Sequence, residues 1–139
     1  MTHATCSCGQ LRYAISAAPT FHAICHCSDC RAASGRPYVS TAFFASAIVQ
    51  RTGDVSTSMF ESAQGNRTYR DACATCGDML ADRSDGFPDL IGIVATFLDS
   101  ESASLPQFHM WVGSAVVPID PEDTLPRFDT APAPRRKPS

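Results

Sequence analysis

A mainly β single domain is what this sequence predicts, and three observations carry the prediction. Segments rich in β-branched and aromatic residues recur along the chain, and glycines and prolines punctuate them at intervals too short for long helices. The length of 139 residues suffices for one hydrophobic core and falls short of two. All seven cysteines fall in three tight groups, Cys6/Cys8, Cys25/Cys27/Cys30 and Cys73/Cys76, which can tie distant parts of such a domain together.

Taken in order, Leu11-Arg12-Tyr13-Ala14-Ile15 alternates apolar and other residues and leads to Pro19, the pattern of a short strand entering a turn. Tyr38–Phe44, Val49–Thr52, Thr68–Tyr69, Leu90–Val94 and Phe108–Val112 read as strands for their β-branched and aromatic content. Short helical turns are expected at Ser28–Ala33 and Ala45–Ile48. On a strand, His109 and Trp111 would share one face, and Phe108 and Met110 the other. Asp99 reads as a turn-fixing acceptor. The domain is expected over residues 1–129, followed by a flexible tail at 130–139, where prolines, Arg135, Arg136 and Lys137 occur without a large apolar side chain.

Composition narrows the function. A hydrophobic fraction of 44% with 18% charged residues is ordinary for a soluble globular chain. A net charge of −3 supplies no basic footprint for nucleic acid or an anionic membrane. The longest apolar stretch, Leu90–Leu98, is broken by Gly92 and Thr96 and is about half of the ~20 residues a spanning helix needs, so no membrane segment is expected. The start, Met1-Thr2-His3-Ala4-Thr5, lacks a basic segment followed by an apolar core, which places the protein in the cytoplasm. Disulfides are rare there and an odd cysteine number cannot pair fully within one chain, so the cysteines read as metal-ligating thiolates.

The spacing divides the ligands into two sites. Cys73-Ala74-Thr75-Cys76-Gly77 has the two-residue gap that turns both sulfurs toward one ion, and Cys6-Ser7-Cys8-Gly9 can complete a closed four-thiolate zinc site of structural type. Cys25-His26-Cys27-Ser28-Asp29-Cys30 can bring three thiolates to a second zinc and leave one position open, which is the arrangement of catalytic sites. His26 would point away from an ion held by its neighbours. In a second reading His26 or His109 fills the fourth position and the protein is a non-catalytic, zinc-stabilised binding module. An iron–sulfur cluster is disfavoured because the middle group lacks a fourth cysteine.

The order Cys-x-Cys-Gly, Cys-His-Cys-x-x-Cys, Cys-x-x-Cys-Gly resembles the family of glutathione-dependent formaldehyde-activating enzymes, which also includes centromere protein V. Arg31-Ala32-Ala33-Ser34-Gly35, Thr96-Phe97-Leu98-Asp99, Pro106 to Trp111 and Leu125-Pro126-Arg127-Phe128 resemble further family segments, so the likeness spans roughly residues 5 to 129. Phe97 departs from the family's Gly-Thr-Leu-Asp, and a later tryptophan is absent around Val116-Val117-Pro118. The resemblance implies a zinc-stabilised β-tent with Cys6, Cys8, Cys73 and Cys76 at a structural zinc. It implies a second zinc at Cys25, Cys27 and Cys30, where a carbon–sulfur lyase would act on the aldehyde adduct of a small thiol such as glutathione. Arg31 and Arg36 flank that site and could bind the carboxylates of such a ligand, and His109 is a candidate pocket wall. The oligomeric state is not legible.

Overall fold

Short strands dominate the chain, and most of them pair with a neighbour far away in sequence. The computed structural model describes residues 1–61, 65–100 and 105–129; the tail expected at 130–139 lies outside them. In chain order the elements are β1 (Thr2–Thr5), β2 (Arg12–Ile15), β3 (Phe21–Cys25), α1 (Ser28–Ser34), β4 (Val39–Ala45), β5 (Val49–Thr52), β6 (Val55–Glu61), β7 (Arg67–Cys73), β8 (Met79–Ser84), β9 (Leu90–Val94) and β10 (Phe108–Met110). An antiparallel sheet of order β1-β2-β5 packs with a larger sheet of order β10-β3-β4-β9-β8-β7-β6, in which β10 runs parallel to β3. Among the described residues no helix is long and apolar enough to cross a membrane.

Alternation along the strands decides where the core lies. Tyr13 and Ile15 of β2 point inward while Arg12 is exposed. They meet Ala42 and Phe44 of β4, Leu80 and Ala81 of β8, and Ile91 and Ile93 of β9, with Cys6 and Cys73 in the same cluster. Phe44, Leu80 and Ile93 are fully buried, and each contributes on the order of 1.5–3 kcal/mol of hydrophobic stabilisation. Leu80 and Ala81 are neighbours, yet both face this core, because the register of β7 and β8 shifts between Asp71 and Ala72 and leaves Leu80 as an extra residue. On the opposite face of the large sheet, Val39 of β4 and Val94 of β9 pack with Cys25 and Cys30. Each face of that sheet therefore carries one cysteine group.

Four strands escaped the sequence reading. β1 and β3 are short, β6 is a largely exposed edge strand, and the bulge in β8 obscures its alternation. The helical turn at the middle cysteines extends to Ser34 as α1, and the second is a 3₁₀ turn at Ser46–Ile48. The strand expected over Phe108–Val112 stops at Met110: Trp111 takes a left-handed backbone with φ 58 and opens a 3₁₀ turn, Val112–Ser114. His109 and Trp111 thus do not share a strand face. Asp99 accepts from the His3 amide at 2.8 Å, 96 positions away, so it ties its loop to β1 rather than fixing a turn of its own.

Candidate metal centres

The first centre is assembled by two backbone turns. Gly9 and Gly77 close them, with amide bonds to the Cys6 carbonyl at 3.1 Å and the Cys73 carbonyl at 2.9 Å. Asp78 joins one turn to the other, accepting from the Ser7 amide at 2.7 Å and from the Ser7 hydroxyl. The sulfurs of Cys6, Cys8, Cys73 and Cys76 all lie within 4.8 Å of one another, and the Cys6–Cys8 and Cys8–Cys73 separations are 3.6 Å. A tetrahedron with metal–sulfur bonds near ~2.3 Å has edges of about 3.8 Å, so the group fits one four-coordinate ion. Backbone amides point at the sulfurs, from Leu11 to Cys6 at 3.2 Å and from Thr75 and Cys76 to Cys73 at 3.4 Å. Burial opposes ionisation of Cys6, but the Leu11 amide and the three neighbouring thiols outweigh it and bring that thiol down to about 6.

The second centre lies where β3 ends and α1 begins. Cys27 caps α1, its sulfur accepting from the Cys30 amide at 3.2 Å, and the first turn carries Cys30 inward. Cys25 is 3.2 Å from both Cys27 and Cys30, and all three sulfurs fall within 4.8 Å of one another. The spacing is tighter than a tetrahedral edge, so the sulfurs would spread by about half an ångström around an ion. Thiol donors Cys25 and Cys30 push Cys27 down to about 3, while sharing with Cys27 holds Cys25 far above the ordinary thiol value. Cys30 is pushed up to about 12: the Cys25 thiol lowers it, but Cys27 and burial prevail. Only the three cysteines make up the metal-ligating group here among the described residues.

Buried polar atoms left without partners gather at this centre. Of the four that occur among the described residues, three belong to His26, between two of its cysteines, Arg31, next to Cys30, and Arg70, whose Nη2 donates to Cys30 Sγ at 3.8 Å. Native structures leave few such atoms, and a site that takes an ion or ligand is a common reason for them. The donor set, three sulfurs with the Arg70 guanidinium beside Cys30, fits a thiophilic cation with a further ligand.

The expected accessory residues fall in distinct places. Arg31 is half-buried on α1. Arg36 is exposed and lines a cleft of about 480 Å³ together with Tyr38, Gly77, Asp78 and Phe97; Val39 and Val94 form its floor and also pack against the trio. The cleft thus spans from the trio's surroundings to the four-cysteine turn. His109 is buried and uses both ring nitrogens: Nδ1 lies 3.0 Å from His26 Nε2, and Nε2 lies 2.7 Å from Asp123 Oδ2. A carboxylate at Asp123 makes His109 Nε2 the donor. With a neutral ring, His109 Nδ1 then accepts from His26 Nε2–H, and His26 Nδ1 is left as a buried lone pair without a partner. Burial and the neighbouring His109 lower the pKa of His26, in keeping with its neutral form.

Sequence reasoning missed Asp123, Arg70 and Asp82. Asp123 comes from the C-terminal segment, which β10 captures through the His109 and Phe128 amides. Arg70 lies three positions before Cys73 on one strand, hence on the opposite face of the sheet from it, and that offset was the available signal. Burial opposes its charge, but Cys30, Asp82 and Cys27 raise its pKa and keep it a cation. Asp82 pairs with Arg70 across β7 and β8, and burial pushes its carboxyl up to about 6.

Comparison with known proteins bears on these centres. A family model described as glutathione-dependent formaldehyde-activating enzyme matches residues 1–114. A crystal structure of a Rhodobacter sphaeroides protein superposes with a TM-score of 0.55 at 16% identity, covering 91% of this chain and 98% of that one. At that identity the likeness is one of fold. No curated protein matches the sequence.

Proposed function

We propose, since the chain belongs to the glutathione-dependent formaldehyde-activating enzyme family, that it is a zinc-dependent carbon–sulfur lyase acting on the aldehyde adduct of a small thiol such as glutathione. The observation that carries the reading is the cysteine trio, three sulfurs within mutual reach and no fourth ligand beside them among the described residues. Zinc bound there would supply a positive centre that favours thiolate over thiol and polarises a carbonyl oxygen. Cys6, Cys8, Cys73 and Cys76 would hold a structural zinc.

The reaction asks little covalent chemistry of the chain. In the condensing direction the thiol sulfur bonds to the carbonyl carbon, the π electrons move to oxygen, and the thiol proton leaves while the oxygen gains one. Cleavage reverses each step. His26 Nδ1 is a buried acceptor, and the His109–Asp123 pair behind it holds the tautomer that keeps its lone pair free. Arg36 in the cleft is suited to a ligand carboxylate. The chemistry belongs in a reducing compartment such as the cytoplasm, where the thiols persist.

Native mass spectrometry of the protein titrated with glutathione tests this reading. Two zinc ions and a saturable thiol adduct are expected, and Cys27→Ala should lose the adduct and one ion. Turnover of an S-hydroxymethyl adduct, followed by NMR, should require the intact trio. One zinc, or two without any adduct, rejects the lyase and leaves a zinc-stabilised binding module.

A further inference from the structure

Arg70 is the chain's most unusual charge. Its side chain is buried, with a relative exposure of 6%, and arginine is almost never buried without a partner. A carboxylate stands directly across the strand pair, at Asp82, yet the ion pairs within 4 Å among the described residues are His3–Asp99, Arg83–Asp71 and His109–Asp123. Arg70 reaches past Asp82. Its guanidinium lies over the Phe60 ring, 4.9 Å from the centroid, and its Nη2 points to Cys30 Sγ at 3.8 Å. Nη1 is buried with no protein partner, so the protein alone does not satisfy this group.

Charge arithmetic explains the choice. A divalent ion with three thiolates carries a formal charge of about −1, and burying that charge without a counterion is costly. One guanidinium balances it. Hydrogen bonds to a coordinated sulfur draw electron density from it, which tunes the centre without adding a ligand.

We propose that Arg70 is the positioning residue of the cysteine trio: clamped by Phe60, it donates N–H to the Cys30 sulfur, balances the charge of the trio with its metal, and restrains the reactivity of that thiolate. The proposal rests on the trio being a metal site, though not on any catalysed reaction. Arg70 thus works through Cys30, while Asp82 favours its charge from across the strand pair without forming a salt bridge.

Cobalt-loaded protein, with both centres filled, provides the test. Wild type and Arg70→Gln are compared by the sulfur-to-cobalt charge-transfer band of the second ion to bind. Iodoacetamide alkylation is then followed residue by residue by mass spectrometry on the zinc-loaded proteins. In Arg70→Gln the band should move to lower energy and Cys30 should alkylate about tenfold faster, the loss of one hydrogen bond to a charged sulfur. Cys6, Cys8, Cys73 and Cys76 should keep their rates and so report an intact fold. Should those four become reactive, Arg70→Lys carries the test: an ammonium lacks the planar fork, so its Cys30 rate should still rise about threefold. An unmoved band and unchanged Cys30 rates overturn the proposal, as does a wild-type protein that binds one ion only. A band shift in a protein with no lyase activity would sustain the Arg70 assignment while ending the proposed reaction.

Discussion

Cys27 differs from the two thiols beside it, and the difference has a measurable consequence. Its pKa is pushed down to about 3, so it is a thiolate at neutral pH, whereas Cys25 is raised and Cys30 is pushed up to about 12. Metal uptake at the trio must therefore displace the protons of Cys25 and Cys30 but none from Cys27. Both raised thiols lose their protons more readily as pH rises, so affinity increases with pH, by about 100-fold per unit for two protons. Competition against a chromophoric chelator between pH 6.5 and 7.5, read at the second equivalent of zinc, checks this. A tenfold slope would mean that a single proton leaves and that the trio does not share its charge in this way. Ligand identity was readable from the sequence at this scale, since cysteine spacing is local. Their unequal ionisation was not, because it depends on the folded turn that sets sulfur separations of 3.2 Å and on the Arg70 guanidinium, which arrives from a strand 40 positions away.

Among the elements, the turn between β5 and β6 is the most constrained. Gly53 has φ 102, and a Cβ there would lie 2.0 Å from the Gln10 carbonyl oxygen, in the loop that carries Cys6 and Cys8. Gly53→Ala combines backbone strain with a clash against main chain that cannot rotate away, and should cost about 3 kcal/mol. Gly9, with φ 80 and open space around its Cβ position, is the control, and Gly9→Ala should cost only about 1 kcal/mol. Urea unfolding of the two variants decides the comparison, and equal losses would show that the Gln10 contact gives way. The strands with clear alternation, such as β2, and those dense in β-branched or aromatic residues, such as β4 and β9, were legible. β6 and β8 were not: an exposed edge strand keeps no apolar face, and a bulge breaks the period on which such reading depends.

For the whole molecule, the two centres should differ in what they hold together. The first joins Cys8 to Cys73 across 65 positions, and a cross-link closing so long a loop constrains the unfolded chain by about 4 kcal/mol. The trio closes a segment of only five positions and adds little of that kind. Cys73→Ser should therefore unfold the domain or lower its melting temperature by well over ten degrees, while Cys27→Ala should lose one metal ion and melt within a few degrees of wild type. Circular dichroism melts with metal counting test the pair, and equal losses of stability would refute the division into structural and reactive centres. By itself the sequence determined the family, the mainly β class and the two ligand groups, because metal spacing and strand alternation are written within a few neighbouring residues. Tertiary structure alone decided that Arg70 faces Cys30, that His109 and Asp123 stand behind His26, and that Arg36 and Tyr38 share a cleft with Gly77 and Asp78. The first two join Arg70 to Cys30 and His109 to His26, 40 and 83 positions apart, and the pairing order of the large sheet brings them within hydrogen-bonding distance.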